Sequence, residues 1–228
     1  MAPAARIRPR DAATLIVLDL DAEPRILMGR RAMSHVFMPG RYVFPGGRVE
    51  PDDLRRARSL PLAEAALERL AARTTARHRP HHGAALAIAA LRETFEETGL
   101  VLCAPAEAPA SAPAPHAAGA IAFEPRHLVP VARAITPTGL SRRFDTRFFA
   151  VSARHVSPAL SLPAPPTDEF DALGWFTFEE IAGLDCARIT RLVISEIETR
   201  VRDGSWQDPS LSIPFWRTRQ GRHVCERI

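Results

Sequence analysis

Leu91-Arg92-Glu93-Thr94-Phe95-Glu96-Glu97-Thr98-Gly99-Leu100 is the stretch that decides how this 228-residue chain is read. On a helix Glu93, Glu96 and Glu97 fall at i, i+3 and i+4, so their carboxylates share one face. Ile88, Leu91 and Phe95 line another side and can anchor the helix in a core. Gly99 is the expected residue just past the helix end, where a left-handed conformation is needed. Acidic groups at a helix C-terminus oppose the macrodipole. Arg92, four residues before Glu96, can offset one of them. The remainder ask for a hard divalent cation, because oxygen-only ligand sets suit Mg²⁺. A solvated acidic face is the alternative for this segment taken alone.

Upstream, Tyr42-Val43-Phe44-Pro45-Gly46-Gly47 reads as a strand running into a Pro-Gly-Gly turn. Glycines there permit close approach of a ligand and leave backbone groups facing phosphate or metal. Thr14 to Leu18 and Arg25 to Met28 read as strands joined in a hairpin by Asp21-Ala22-Glu23-Pro24. The pattern from Pro51 to about Arg79 is helical, with Leu62, Ala66 and Leu70 four residues apart, and a second helix is expected from Ala84 to Thr98. The Pro/Ala-rich run over about 104–119 lacks apolar periodicity and reads as an exposed loop. Beyond it, Leu128 to Ile135, Phe144 to Val151 and Ala172 to Phe176 read as strands. Thr177 can cap a short helix through Glu180, and Arg188 to Arg202 is a longer one. The expectation is a single α/β domain over 1–228 with a mixed sheet and flanking helices.

Composition narrows the function classes. Hydrophobic residues are 46% and charged residues 25% of the chain, which excludes wholesale disorder. No apolar run is long enough to span a bilayer, and the Pro- and Arg-rich start does not resemble a secretory signal, so a cytoplasmic location is expected. The formal net charge of +4 is carried with no lysine at all. That balance suits a small polyanionic substrate and does not point to nucleic acid. Cys103, Cys186 and Cys225 are odd in number and widely spaced, which predicts reduced thiols without a zinc site. His81 and His82 lack a ligand set and read as solvated loop histidines.

Taken together, the glycine pair and the acidic helix resemble the Nudix hydrolases. Gly47 matches the opening glycine of their motif, and Arg92, Glu93, Glu96, Glu97 and Gly99 match its second half. Thr94 stands where a larger apolar residue is usual. The motif's first glutamate falls on Asp53 counting forward from Gly47 and on Ala84 counting back from Arg92, so a helical insertion of about 51–83 interrupts it. Such an interruption looks like the branch of peroxisomal-type CoA diphosphatases and bacterial relatives. Thr136-Pro137-Thr138 followed by Arg143-Phe144-Asp145-Thr146-Arg147-Phe148-Phe149 is similar to a segment of that branch. Arg31, Gly40 and Phe44-Pro45-Gly46-Gly47 fit part of its upstream pattern, whereas His35 and Val36 do not.

The resemblance implies a Nudix-type α/β/α sandwich with a mixed β-sheet. It also implies hydrolysis of the pyrophosphate bond in a nucleoside diphosphate linked to another group, with Mg²⁺ or Mn²⁺ as cofactor. Glu93, Glu96, Glu97 and the Gly47 carbonyl are the expected metal ligands, and Arg92 orients a glutamate. The general base is either a glutamate of the motif or Glu169. Arg31, Gly46, Gly47, Arg143 and Arg147 are the candidate substrate contacts. CoA or acyl-CoA, cleaved to 3′,5′-ADP and a 4′-phosphopantetheine, is the first substrate. ADP-ribose, NADH, dinucleoside polyphosphates and a catalytically silent nucleotide sensor are the alternatives, and a homodimer is implied by resemblance alone.

Overall fold

In a computed structural model, the described residues are 7–35, 38–58, 62–74, 81–102, 123–157 and 167–228. Eleven strands follow in chain order: β1 (Arg10–Asp19), β2 (Arg25–Arg31), β3 (Tyr42–Val43), β4 (Gly46–Arg48), β5 (Val101–Leu102), β6 (Val129–Ile135), β7 (Phe144–Ser152), β8 (Val156–Ser157), β9 (Phe170–Thr177), β10 (Pro214–Arg219) and β11 (Arg222–Arg227). The helices are α1 (Pro51–Arg56), α2 (Glu64–Ala71), α3 (His82–Thr98), α4 (Phe178–Gly183) and α5 (Arg188–Arg202).

Apolar runs rich in β-branched residues place β1 centrally, where both faces are covered. The main sheet has the order β11-β10-β6-β7-β1-β2-β3, with β4 also paired to β1 and β9 to β2. β1–β7 and β10–β6 are parallel and the other pairs antiparallel, so the sheet is mixed. Strand alternation divides the core. Ala13, Leu15 and Val17 face a layer built on α3, while Ile16 and Leu18 face one built on α5. That is the α/β/α sandwich.

Several expectations need adjustment. Gly46 and Gly47 do not form a turn; they lie in β4, paired with Thr14 and Ala13. Among its described residues the 51–83 segment carries two short helices, α1 and α2, before α3 begins. Residues 59–61 and 75–80 of the expected helical pattern lie outside the described residues, as do Cys103 and the Pro/Ala-rich run. His82 is not a loop histidine: it opens α3, with its Nε2 3.1 Å from Asp11 Oδ2. The C-terminal aromatics pack on their own chain, Trp206 and Trp216 in the α5 layer and Phe215 at 1% exposure on β10, whose hairpin with β11 widens the sheet. Cys186 and Cys225 are free thiols. Thr177 caps α4 reciprocally with Glu180, as its sequence predicts.

Candidate active site

The site begins with the way α3 is held. Its Ala-rich first half is buried against β1, and Gly99 ends it at φ +73°. Thr94, unusual in the motif, is fully buried, and its hydroxyl donates to the Ala90 carbonyl at 2.7 Å, so its polarity is satisfied within the helix. The last turns therefore carry their acidic face toward β4, where the chain narrows to Gly46-Gly47.

A side chain at either glycine would meet a neighbour, the movable Glu93 carboxylate at Gly47 and fixed backbone at Gly46. A Cβ on Gly47 would run into the Glu93 carboxylate. Gly46 has φ +153°, and a Cβ there would press on the Ala13 carbonyl and the Thr14 backbone. The Gly46 N–H donates to Glu97 Oε2 at 2.9 Å. Backbone and carboxylates thus meet without side-chain padding.

Arg92 organises the acidic residues. It donates through Nε and Nη2 to the two Asp53 oxygens at 3.0 and 3.1 Å, and through Nη2 to the Arg48 carbonyl at 2.9 Å. Its Nη1 reaches Glu93 Oε1 and Glu96 Oε2, both at 3.0 Å. Asp53 is fully buried, and its Oδ2 also accepts from the Glu50 N–H at 2.8 Å. Of the two positions the spacing left open, Asp53 is bound by Arg92, while Ala84 is a core residue of α3. Sequence reasoning left this position open, although the spacing from Gly47 pointed to it.

Glu169 joins from the other side of the fold. It lies just before β9, its carbonyl accepts from the Ala32 N–H at 3.0 Å, and its Oε1 accepts from Arg31 Nη1 at 2.7 Å. His35 Nδ1 stands 3.8 Å from the same oxygen. No local pattern links His35 to Glu169; the fold brings them together.

The electrostatics follow from burial and crowding. Burial first, then Glu169 and Glu93, hold the Glu97 carboxyl well above the ordinary carboxylate range, against Arg31 and the Gly46 N–H. Burial pushes Glu93 up to about 7, with Glu96 and Glu169 adding to it and Arg92 opposing. Burial also raises Glu96, again against Arg92. For Arg92, burial works against the charge, but Asp53, Glu93 and Glu96 outweigh it and hold the guanidinium protonated. A cluster that resists its own ionisation is one a divalent cation would relieve.

The donor chemistry fits such an ion. Arg92 and Gly46 use one oxygen each of Glu93, Glu96 and Glu97, which leaves the second carboxylate oxygen of each for a hard cation. Among the described residues no group of three or more His, Cys, Asp or Glu side chains is gathered tightly enough to hold a metal ion as it stands. The carboxylates would have to close up, with water or phosphate oxygens completing the shell, as Mg²⁺ prefers.

The other two candidate arginines are placed differently. Arg143 donates from Nε to the Thr136 and Pro137 carbonyls at 3.0 and 3.1 Å and from Nη1 to the Ile7 carbonyl at 2.6 Å. Arg147 is 2% exposed and its Nη1 is engaged by Asp11 and Asp145, which leaves a phosphate no open approach. The fold does not bring either to the carboxylates through any bond.

A NUDIX domain model matches residues 8–193. The chain belongs to the NUDIX family. The match takes in both glycines, the acidic helix and Glu169, and ends before the β10–β11 hairpin. A NUDIX hydrolase from Alicyclobacillus acidocaldarius is similar at 27% identity, covering 82% of this chain and 90% of its own, with a TM-score of 0.62. The NUDIX domain of Shewanella oneidensis NrtR, solved with ADP ribose, shares the fold at 11% identity, covering 88% of this chain and 94% of its own, with a TM-score of 0.50. No curated protein matches the chain. The enzyme class follows from the family and the hydrolase neighbour: this NUDIX protein is a pyrophosphohydrolase. No helix among the described residues is long and apolar enough to cross a membrane.

Proposed function

We propose that the chain hydrolyses the pyrophosphate bond of a nucleoside diphosphate linked to another group, with a divalent cation held at Glu93, Glu96, Glu97 and the Gly47 carbonyl. The observation that carries this is the meeting of Glu93 and Glu97 at Gly46-Gly47, with the Arg31–Glu169 pair near enough for its charges to act on Glu97 and the two carboxyls forced above their ordinary range. A bound Mg²⁺ or Mn²⁺ supplies polarisation of phosphate oxygens and a more acidic water.

The chain's own residues do the rest. Arg92 holds Glu93 and Glu96 in orientation from behind, with its charge anchored on Asp53, and does not reach substrate. Gly46 and Gly47 admit the phosphates because nothing projects from β4. Arg31 can offer its guanidinium to a phosphate oxygen while it fixes Glu169. Glu169 takes the proton from the attacking water, with Glu93 as the competing base. Replacing Glu169 by Gln at saturating metal separates them: a loss in kcat of about 10²-fold or more assigns the base to Glu169, and near-normal turnover assigns it to the motif.

For the leaving group, CoA or acyl-CoA is the first substrate, on the strength of the interrupted motif and the Arg143-to-Phe149 resemblance. ADP ribose, the ligand of the Shewanella neighbour, is the second. A metal-dependent screen of CoA, acetyl-CoA, ADP-ribose, NADH and diadenosine polyphosphates with product identification decides. Release of 3′,5′-ADP from CoA well ahead of the others supports the first, and preference for another compound discards it. Tight binding without turnover of any would favour a sensor.

A further inference from the structure

The sheet face that receives α3 ends in a layer of buried charge that the proposed chemistry does not use. Register places Ala13, Arg147, Arg133 and Phe215 in one row across β1, β7, β6 and β10, and Asp11, Asp145 and Ile135 in the next. Arg133 and Arg147 are 4% and 2% exposed. Arg133 grips both oxygens of Asp145 through Nε and Nη2 at 2.8 and 2.7 Å, lies 4.4 Å over the Phe215 ring, and sends Nη1 to the Ala72 carbonyl at 2.8 Å. Ala72 closes α2, so this bond ties the insertion to the sheet. Arg147 bonds its neighbours from one nitrogen: Nη1 meets Asp145 Oδ1 at 2.8 Å, the Asp145 carbonyl at 3.1 Å and Asp11 Oδ1 at 3.2 Å. Its buried Nε has no partner among the described residues. The second Asp11 oxygen is 3.1 Å from Nε2 of His82, the first residue of α3. One unbroken chain of contacts therefore joins the end of α2 to the start of α3, the helix that carries the glutamates.

The geometry points to Arg133 and Arg147 as positioning residues that set the lie of α3, and through it the approach of Glu93 and Glu97 to Gly46-Gly47. From Gly83 to Ala90 the buried side chains of α3 are mostly alanine and glycine, a surface with few knobs to resist sliding or tilting. Arg92 pins the helix near its far end on Asp53 and the Arg48 carbonyl. A rod needs a second fixed point, and the His82–Asp11–Arg147 arm supplies it. This inference rests on the reading of α3 as the metal-binding helix. It also gives the Arg143-to-Phe149 segment a role in the fold's alignment instead of at the substrate.

The test uses the full chain, with kcat and substrate KM measured across metal concentration, and Mn²⁺ binding without substrate followed by electron paramagnetic resonance. Arg147→Met and the milder His82→Ala should each weaken Mn²⁺ binding and lower kcat by about tenfold with substrate KM unchanged. Arg147→Lys should restore both, because an ammonium reproduces a single-nitrogen donor. Arg133→Lys should not be tolerated, because Arg133 uses three nitrogens and a planar face. A rise in KM alone for Arg147→Met would mean direct phosphate contact and overturn the proposal, as would unchanged Mn²⁺ binding and kcat in His82→Ala. If Arg147→Met does not fold, His82→Ala still decides. A wild-type chain that binds Mn²⁺ but cleaves none of the compounds would sink the proposed function, while the binding series still judges the positioning role.

Discussion

Glu93→Gln should make the metal-free protein more stable at alkaline pH while destroying its activity. The wild-type carboxyl has its pKa raised from 4.5 to about 7 on folding. A group that holds its proton more tightly in the native state loses stability as pH rises from its unfolded pKa through its folded one. The penalty is absent below about pH 4.5 and complete above pH 7. A shift of that size at 1.36 kcal/mol per pH unit sets a ceiling of roughly 3 kcal/mol. Glutamine keeps the shape and can still accept from Arg92, whose attraction is already counted in that shift; the partial exposure of the carboxyl brings the expected gain down from the ceiling to about 2 kcal/mol. For a chain of this length that is about 4–8 °C in Tm. Thermal unfolding with a chelator, at about pH 8 and about pH 5, measures it against the linkage expectation. Gln should raise Tm at the higher pH and leave it nearly unchanged at the lower. Added Mg²⁺ should stabilise the wild type at the higher pH far more than the variant. A variant less stable than wild type at about pH 8, and more so than at about pH 5, would refute the electrostatic reasoning.

Two further substitutions probe the frame around the glutamates. Asp53→Ala leaves Arg92 buried without its fork and should cost about 3–5 kcal/mol in chemical denaturation; a loss under about 1 kcal/mol would show that Asp53 does not anchor it. Gly47→Ala drives a methyl into the Glu93 carboxylate. It should lower kcat and weaken metal activation with only a small change in Tm, and unchanged kinetics would contradict the close approach.

The parts legible in the sequence were those governed by short-range periodicity. The acidic face of α3, its stop at Gly99, and the strands around Val17, Phe149 and Trp175 follow from spacing of two or three to four residues. The Thr177–Glu180 cap is equally local. What escaped depends on distant partners. Gly46-Gly47 became a strand because β1 offers unpaired backbone opposite, which the dipeptide does not reveal. Asp53 finds Arg92 across 39 residues, with α2 between them. Arg147 carries a charge that a sequence reading sends toward phosphate, yet Asp11 and Asp145 make its burial tolerable. His82 was misplaced for the same reason, since its partner lies on β1.

The most direct measurement is hydrolysis of CoA and of ADP-ribose by the wild-type chain and by Glu97→Gln, with and without Mg²⁺, reading the products. The account predicts cleavage between the two phosphorus atoms of at least one compound by wild type, loss with a chelator, and near-complete loss in the variant although it stays folded. Turnover that persists without metal, or a folded Glu97→Gln chain working at the wild-type rate, would contradict it.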